Sequence, residues 1–328
     1  MSGKIRVGIV GYGNLGRGAE QALALTQDMR LEAVFTRRDP ASVVCGDVGV
    51  PVVALDQAGH WRDRIDVMLL CGGSRQDLPE QGPQLASMFT TVDSFDTHAH
   101  IPEYFAAMDQ AARAAGTVAM ISIGWDPGLF SINRLIGESV LPQGSTYTFW
   151  GKGLSQGHSD ALRRVPGVRA AVQYTIPSPE AMRRVRAGER PTLATREKHT
   201  RECHVVLAEG ADAQAVRQAI VTMPDYFADY DTTVHFITAE ALARDHAAMP
   251  HGGFVIRSAE TGDGTRQLIE FSLRLDSNPA FTSSVLVAYA RAAHRMRQQG
   301  ASGARTAFDV APGLLSPRDP AQLRQDLL

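Results

Sequence analysis

Residues 4–16 read KIRVGIVGYGNLG, an apolar run from Ile5 to Val10 followed by Gly11, Gly13 and Gly16 in the G-x-G-x-x-G spacing. A short apolar run bounded by turn residues is the pattern of a buried parallel strand. Each glycine then has its own mechanical job: Gly11 permits the tight strand-to-helix turn, Gly13 lets a pyrophosphate approach bare backbone, and Gly16 lets the helix pack closely. The free N–H groups of the helix start add Tyr12, Asn14 and Leu15 to the candidate dinucleotide-binding positions. Three glycines alone are weak evidence, and their place between a strand and a helix is what gives them meaning.

The second strand, residues 31–35 (LEAVF), ends where a dinucleotide site chooses its cofactor. A carboxylate there would accept hydrogen bonds from the ribose hydroxyls of NAD. The chain instead places Thr36, Arg37 and Arg38. Two guanidiniums and a hydroxyl suit a 2′-phosphate through charge-assisted hydrogen bonds, so the expected cofactor is NADP. The bland alternative is a solvated basic turn.

Strand and helix patterns then alternate. Residues 52–55 and 67–70 read as strands, the latter ending in Cys71, Gly72, Gly73 and Ser74, small residues suited to the nicotinamide side. A helix near residues 78–89, a strand at 91–93, a helix at 102–115 and a sixth strand at 118–122 complete the βαβ rhythm. The fold class expected is α/β: a Rossmann-type doubly wound parallel sheet at residues 1–124, which 280–328 could return to complete. Residues 125–279 form a second, α+β domain with a mixed sheet for substrate binding and dimerisation. Ligands of doubly wound sheets lie beyond the carboxyl ends of the strands. Asp96 and the segment Gly124-Trp125-Asp126-Pro127-Gly128 therefore face the catalytic crevice, while Asp93 reads as a turn residue. The tail, residues 317–328, reads as loosely held.

Composition bounds the function. With 328 residues, 44% of them hydrophobic, and a formal net charge of −2 with scattered basic residues, the chain reads as a soluble two-domain protein of small-molecule chemistry. Neither a nucleic-acid surface nor a membrane-binding patch is indicated. No signal-peptide core forms ahead of Gly11, so a cytoplasmic location is expected. Cys45, Cys71 and Cys203 are isolated, and the histidines show no ligand spacing, so neither disulfides nor a metal is expected.

Polar clusters in turns of the second domain could grip a substrate: residues 151–159 (GKGLSQGHS), Arg201, residues 249–253 (MPHGG) and residues 276–279 (DSNP). Arg201 and His251 suit a carboxylate, and Asn278 can donate and accept. Together with GYGNLGR, TRR, DSFDTH, GWDPG, FWGKGLSQGHSDALRR, MPDYF and AAHRM, these segments make the chain resemble the meso-diaminopimelate D-dehydrogenases over almost its whole length. The resemblance implies an NADP-dependent homodimer that deaminates the D-configured carbon of meso-2,6-diaminopimelate to L-2-amino-6-oxopimelate and ammonia. It also implies that Asp96, Trp125, Asp126, Trp150 and the loop Leu154, Ser155, Gln156 and Gly157 hold the reacting centre. Thr175, Arg201, His251 and Asn278 would hold the distant L-centre.

Either Asp96 or Asp126 could accept the proton of the reacting ammonium or orient water. Lys152 is an alternative base, although its flanking glycines suggest an exposed turn. Three further functions compete: a related NADP-dependent D-amino acid dehydrogenase of broader specificity, a sugar or imine reductase of the same plan, which would need a lysine-bearing motif where DSFDTH stands, and a catalytically silent NADP sensor.

Overall fold

A computed structural model describes residues 3–328, which divide into two compact units: residues 3–132 with Pro279–Leu328, and Asn133–Asn278. The first boundary lies beyond the expected residue 124, inside a helix that opens in one unit and ends in the other.

In the first unit the chain runs β1 (Ile5–Val10), α1 (Asn14–Ala24), β2 (Met29–Thr36), β3 (Val52–Ala54), β4 (Val67–Leu70), α2 (Leu78–Ala86), β5 (Thr90–Asp93), α3 (Ile101–Ala115) and β6 (Val118–Met120). Strands β4, β5 and β6 are buried along their whole length, because helices cover both faces of the sheet. Local signals set the helix ends. Helix α3 begins with a proline in its first turn and stops at Gly116, whose φ of +66° is the left-handed conformation that closes helices.

The second unit follows with α4 (Leu129–Val140), β7 (Gly144–Trp150), β8 (Gly153–Leu154), α5 (Gln156–Arg163), β9 (Val168–Pro177), α6 (Pro179–Arg186), α7 (Thr195–Lys198) and β10 (His199–Leu207). It continues with α8 (Ala213–Val221), β11 (Asp231–Phe236), α9 (Ala239–Asp245), β12 (His251–Thr261) and β13 (Thr265–Leu275). Its strands separate into a mixed four-stranded sheet, β11-β10-β9-β8, and an antiparallel three-stranded sheet, β13-β12-β7. Edge strand β13 alternates exposed and half-buried residues, as a strand covered on one face does.

Helix α10 (Asn278–Gln298), strand β14 (Gly303–Arg305) and helix α11 (Pro320–Leu327) end the chain. Strand β14 pairs in parallel with β6, so the sheet has seven strands rather than the six expected, in the order β14-β6-β5-β4-β1-β2-β3. Three residues, GAR, carry no apolar run by which a sequence pattern could find them. The tail expected to be loose contains α11, whose start is capped by Asp319 accepting from the Ala321 N–H. One face of the sheet packs Ala19, Ala22 and Leu23 of α1 with Val285, Leu286, Tyr289, Ala293 and Met296 of α10. The other packs Leu78, Leu85 and Ala86 of α2 with Tyr104, Met108 and Ala112 of α3. Among the described residues, no helix is long and apolar enough to cross a membrane.

Candidate active site

The strand order reverses between β1 and β4, and the glycine turn and the Cys71–Ser74 segment follow those two strands. Gly11 has a φ of +88°, donates its N–H to the Phe35 carbonyl at 2.9 Å, and leaves only 3.3 Å between a would-be Cβ and the Cys71 carbonyl. A side chain at Gly16 would collide with the Gly11 carbonyl, so the third glycine serves packing on the turn itself. Gly13 is different. A Cβ there would meet nothing within 4 Å, and no side chain caps the start of α1. The residues present thus fit a dinucleotide phosphate, which could approach the backbone at Gly13 and the positive end of a helix that no side chain caps.

Beside this turn, Tyr12 contributes backbone only, since its buried phenol is bonded to Glu20. Arg38 donates to the Tyr12 carbonyl at 3.0 Å, and buried Thr36 accepts from the Arg38 N–H at 3.1 Å. The exposed Arg37 pairs with Asp77 at 2.5 Å, and the same Asp77 accepts from the Gly73 N–H at 2.8 Å. Asp77 thereby joins the basic turn to the segment after β4, a link that sequence analysis did not find.

The segments after β5 and β6 carry the two candidate carboxylates. Asp96 is exposed, with its N–H on the Ser74 hydroxyl at 3.1 Å. Trp125 is buried edge-on against Phe130, ring centroids 5.2 Å apart. The loop that holds Trp125 and Asp126 closes tightly: Leu129 N–H donates to the Gly124 carbonyl at 3.0 Å, and Gly128, with a φ of +127°, has no room for a Cβ against that carbonyl.

In the second unit, Gly153 of β8, Thr175 of β9 and Arg201 of β10 are register partners, forming one row across the four-stranded sheet. Arg201 is 6% exposed. It donates to the Thr175 hydroxyl, and its guanidinium lies 3.8 Å over the Tyr230 ring. Its Nε is buried without a hydrogen-bond partner, and no carboxylate of the described residues pairs with it. Burial accordingly pulls its pKa below the ordinary value. Gln173, also fully buried, donates to Thr175 at 3.4 Å and leaves its Oε1 without a partner.

Around this row the loops interlock. Leu154 N–H donates to the Pro250 carbonyl at 2.8 Å, Gln156 Nε2 reaches the Met249 sulfur at 3.3 Å, and Asn278 N–H donates to the Met249 carbonyl at 2.9 Å. Gly153 has no Cβ because the His251 ring occupies that space. Ser155 caps α5, its hydroxyl 2.8 Å from His158 Nδ1, and Gly157 follows in the first turn. Trp150 donates its N–H to His199 Nε2 at 2.8 Å and stacks on that ring at 5.2 Å.

Burial, reinforced by the Arg201 charge, lowers His158 to about 4 and His199 to about 3, so both rings are neutral. Lys152 is exposed, 3.8 Å from Glu202. The cysteines are free thiols, and burial pushes Cys203 up to about 12. No group of His, Cys, Asp or Glu side chains among the described residues could hold a metal ion.

Residues 124–277 match the family model described as diaminopimelic acid dehydrogenase C-terminal domain. The chain is 64% identical to the meso-diaminopimelate D-dehydrogenase of Ureibacillus thermosphaericus over 99% of both chains. Among solved structures it is similar to a sixfold-substituted meso-diaminopimelate dehydrogenase of Clostridium tetani E88 with diaminopimelate, at 54% identity and a TM-score of 0.95, covering 99% of this chain and 100% of that one. An engineered D-amino acid dehydrogenase bound to NADP+ is 46% identical with a TM-score of 0.88, again covering 99% and 100%.

Proposed function

The chain belongs to the meso-diaminopimelate D-dehydrogenase family, and we propose that it oxidatively deaminates the D-configured carbon of meso-2,6-diaminopimelate, with NADP accepting the hydride, to L-2-amino-6-oxopimelate and ammonia. It is an oxidoreductase acting on a CH–NH2 group. Gly11, Gly13 and Gly16 with the start of α1 take the pyrophosphate, and Thr36, Arg37 and Arg38 take the 2′-phosphate.

The observation that carries this assignment is Arg201, a buried guanidinium with an unpartnered Nε and no carboxylate partner among the described residues. Such a group suits a carboxylate that arrives with the substrate. Further support comes from the Clostridium tetani variant, whose substitutions fall on a glutamine, a threonine, an arginine, a proline, a histidine and an asparagine. The same residue types stand here in the same order and at the same intervals, at Gln156, Thr175, Arg201, Pro250, His251 and Asn278.

In this assignment Thr175, Arg201, His251 and Asn278 fix the L-centre. The substrate is nearly symmetric, so groups held at the far end decide which carbon reacts. Trp125, Trp150 and the Leu154, Ser155, Gln156 and Gly157 loop wall the reacting end. Asp96 and Asp126 bind the ammonium, and one of them accepts its proton. The amine lone pair then forms the carbon–nitrogen double bond as hydride departs, after which water adds and ammonia leaves.

The test is the initial rate of NADPH formation with the meso, LL and DD isomers, and with NAD replacing NADP. Turnover of the meso isomer with NADP and none of the LL isomer is the expected result. Tight NADP binding without turnover of any isomer would overturn the assignment.

We propose that the molecule works in the cytoplasm as a homodimer. Its free thiols suit a reducing compartment. Exposed Leu135, Ile136 and Val140 of α4, with Leu268 of β13, offer apolar surface in the second unit for a second copy. Sedimentation equilibrium should give twice the 35.4-kDa chain mass.

A further inference from the structure

We propose that Asp93 is a positioning residue of this reaction: a single carboxylate oxygen locks the loop carrying Asp96 to the loop carrying Trp125 and Asp126. The inference rests on the assignment of those side chains to the reacting centre. Asp93 is the last residue of β5 and is 0% exposed. Its Oδ1 accepts both the Phe95 N–H at 2.9 Å and the Ser122 N–H at 3.1 Å. Its Oδ2 accepts the Tyr104 hydroxyl at 2.8 Å, and its main-chain carbonyl accepts the Ile123 N–H at 2.8 Å.

Phe95 directly precedes Asp96, and its ring stacks on Tyr104 with centroids 4.1 Å apart. Ser122 lies on the short link from β6 to Trp125. Its φ is +56°, a left-handed conformation that a residue with a side chain adopts only when its surroundings dictate it. The bond from its N–H to Asp93 supplies part of that constraint.

A purely structural role accounts poorly for a carboxylate here. Its partners are two amides and a phenol, with no cation among them, and burial raises its pKa to about 6 against the pull of those bonds. An apolar residue would spare the fold that cost. What an apolar residue cannot do is accept two N–H groups from different loops at one point.

The chemistry of the bridge sets the test. Asp93→Asn keeps Oδ1 for both amides and can turn its NH2 toward the Tyr104 oxygen, preserving position while removing charge. Asp93→Glu keeps charge and displaces the oxygen by a methylene, and Asp93→Ala removes the bridge. Holoenzyme kcat and KM for meso-diaminopimelate and for NADP would be measured for each, with folding checked by circular dichroism. The expected result is that Asn keeps kcat within about threefold of the parent, while Glu and Ala lose about thirtyfold or more with the KM for NADP nearly unchanged. Should Glu and Ala fail to fold, Asn decides alone: near-parental kcat upholds the bridge, and a thirtyfold loss overturns it in favour of a role for the charge. Equal kcat in folded Ala and parent would also overturn it. Absence of turnover in the parent itself would instead retire the proposed reaction.

Discussion

A guanidinium buried with no carboxylate of the described residues to pair it, as at Arg201, costs the protein stability that a bound carboxylate would restore. Arg201→Met should therefore raise the KM for meso-diaminopimelate by about a hundredfold, the loss of two charge-assisted hydrogen bonds. In the same variant the unliganded melting temperature should rise by a few degrees, which calorimetry can check. A fall in both affinity and stability would place Arg201 in the scaffold. Titration adds a second test. His158 and His199 have pKa values lowered to about 4 and about 3 by burial and the Arg201 charge, whereas in an unfolded chain each titrates near 6.5. Between those values the unfolded chain binds more protons, so their contribution is complete above pH 6.5 and is lost as pH falls toward 4. Asp93 acts oppositely: its pKa is raised to about 6, so its contribution is lost as pH rises through that value. Melting curves from pH 7 to 4 should fall less steeply for His199→Gln than for the parent. They should fall more steeply for Asp93→Asn, which removes the opposing slope.

Strand β8 is two residues long, yet it shapes the candidate site of the second unit by placing Gly153 beside Thr175 and under the His251 ring. Gly153→Ala would push its new methyl group into that ring, a clash with no flexible chain end to yield. The expected outcome is a KM for diaminopimelate raised at least about tenfold, with NADP affinity, measured by fluorescence titration, unchanged. Such short elements mark the limit of what could be read from sequence. Strands such as β4, VMLL, were legible because covering a sheet on both faces demands continuous apolar runs, and the more polar β5, TTVD, was legible from its place in the βαβ rhythm. Strand β8 and helices α5 and α9 were missed, being too short or too polar to show a period. The residue types proposed for the candidate site come from its turns and from the resemblance they carried. Gln173, His199 and Tyr230 were not, because what brings them to Thr175, Trp150 and Arg201 is tertiary packing and strand register rather than local pattern. Asp93 was read as a turn residue for the same reason: one of its three side-chain partners is 29 residues away.

At the scale of the molecule, the first unit is discontinuous, with residues from both ends of the chain sharing one core. Val285, Leu286, Tyr289, Ala290 and Ala293 of α10 are all buried on the same face of the sheet as α1, and β14 covers the edge at β6. A chain cut after Asn278 should therefore expose that face and an unpaired strand edge. Differential scanning fluorimetry should show no NADP-induced stabilisation of such a fragment, whereas the full chain should gain about 2.7 kcal/mol at a hundredfold excess over Kd. An undiminished NADP response in the fragment would show the C-terminal helix to be dispensable.

The discontinuity also orders events during synthesis. A ribosome delivers Asn133–Asn278 complete before it has made Pro279–Leu328, so the second unit can finish folding while the first still lacks a helix and a strand. At about 5–20 residues per second, that segment follows within roughly ten seconds. During that interval the nascent chain carries the glycine turn that would take the cofactor, but not the core that holds the turn in shape. Competence to bind the cofactor should therefore arrive only once Pro279–Leu328 has been made, so that a shorter nascent chain would leave the cell's NADP pool untouched.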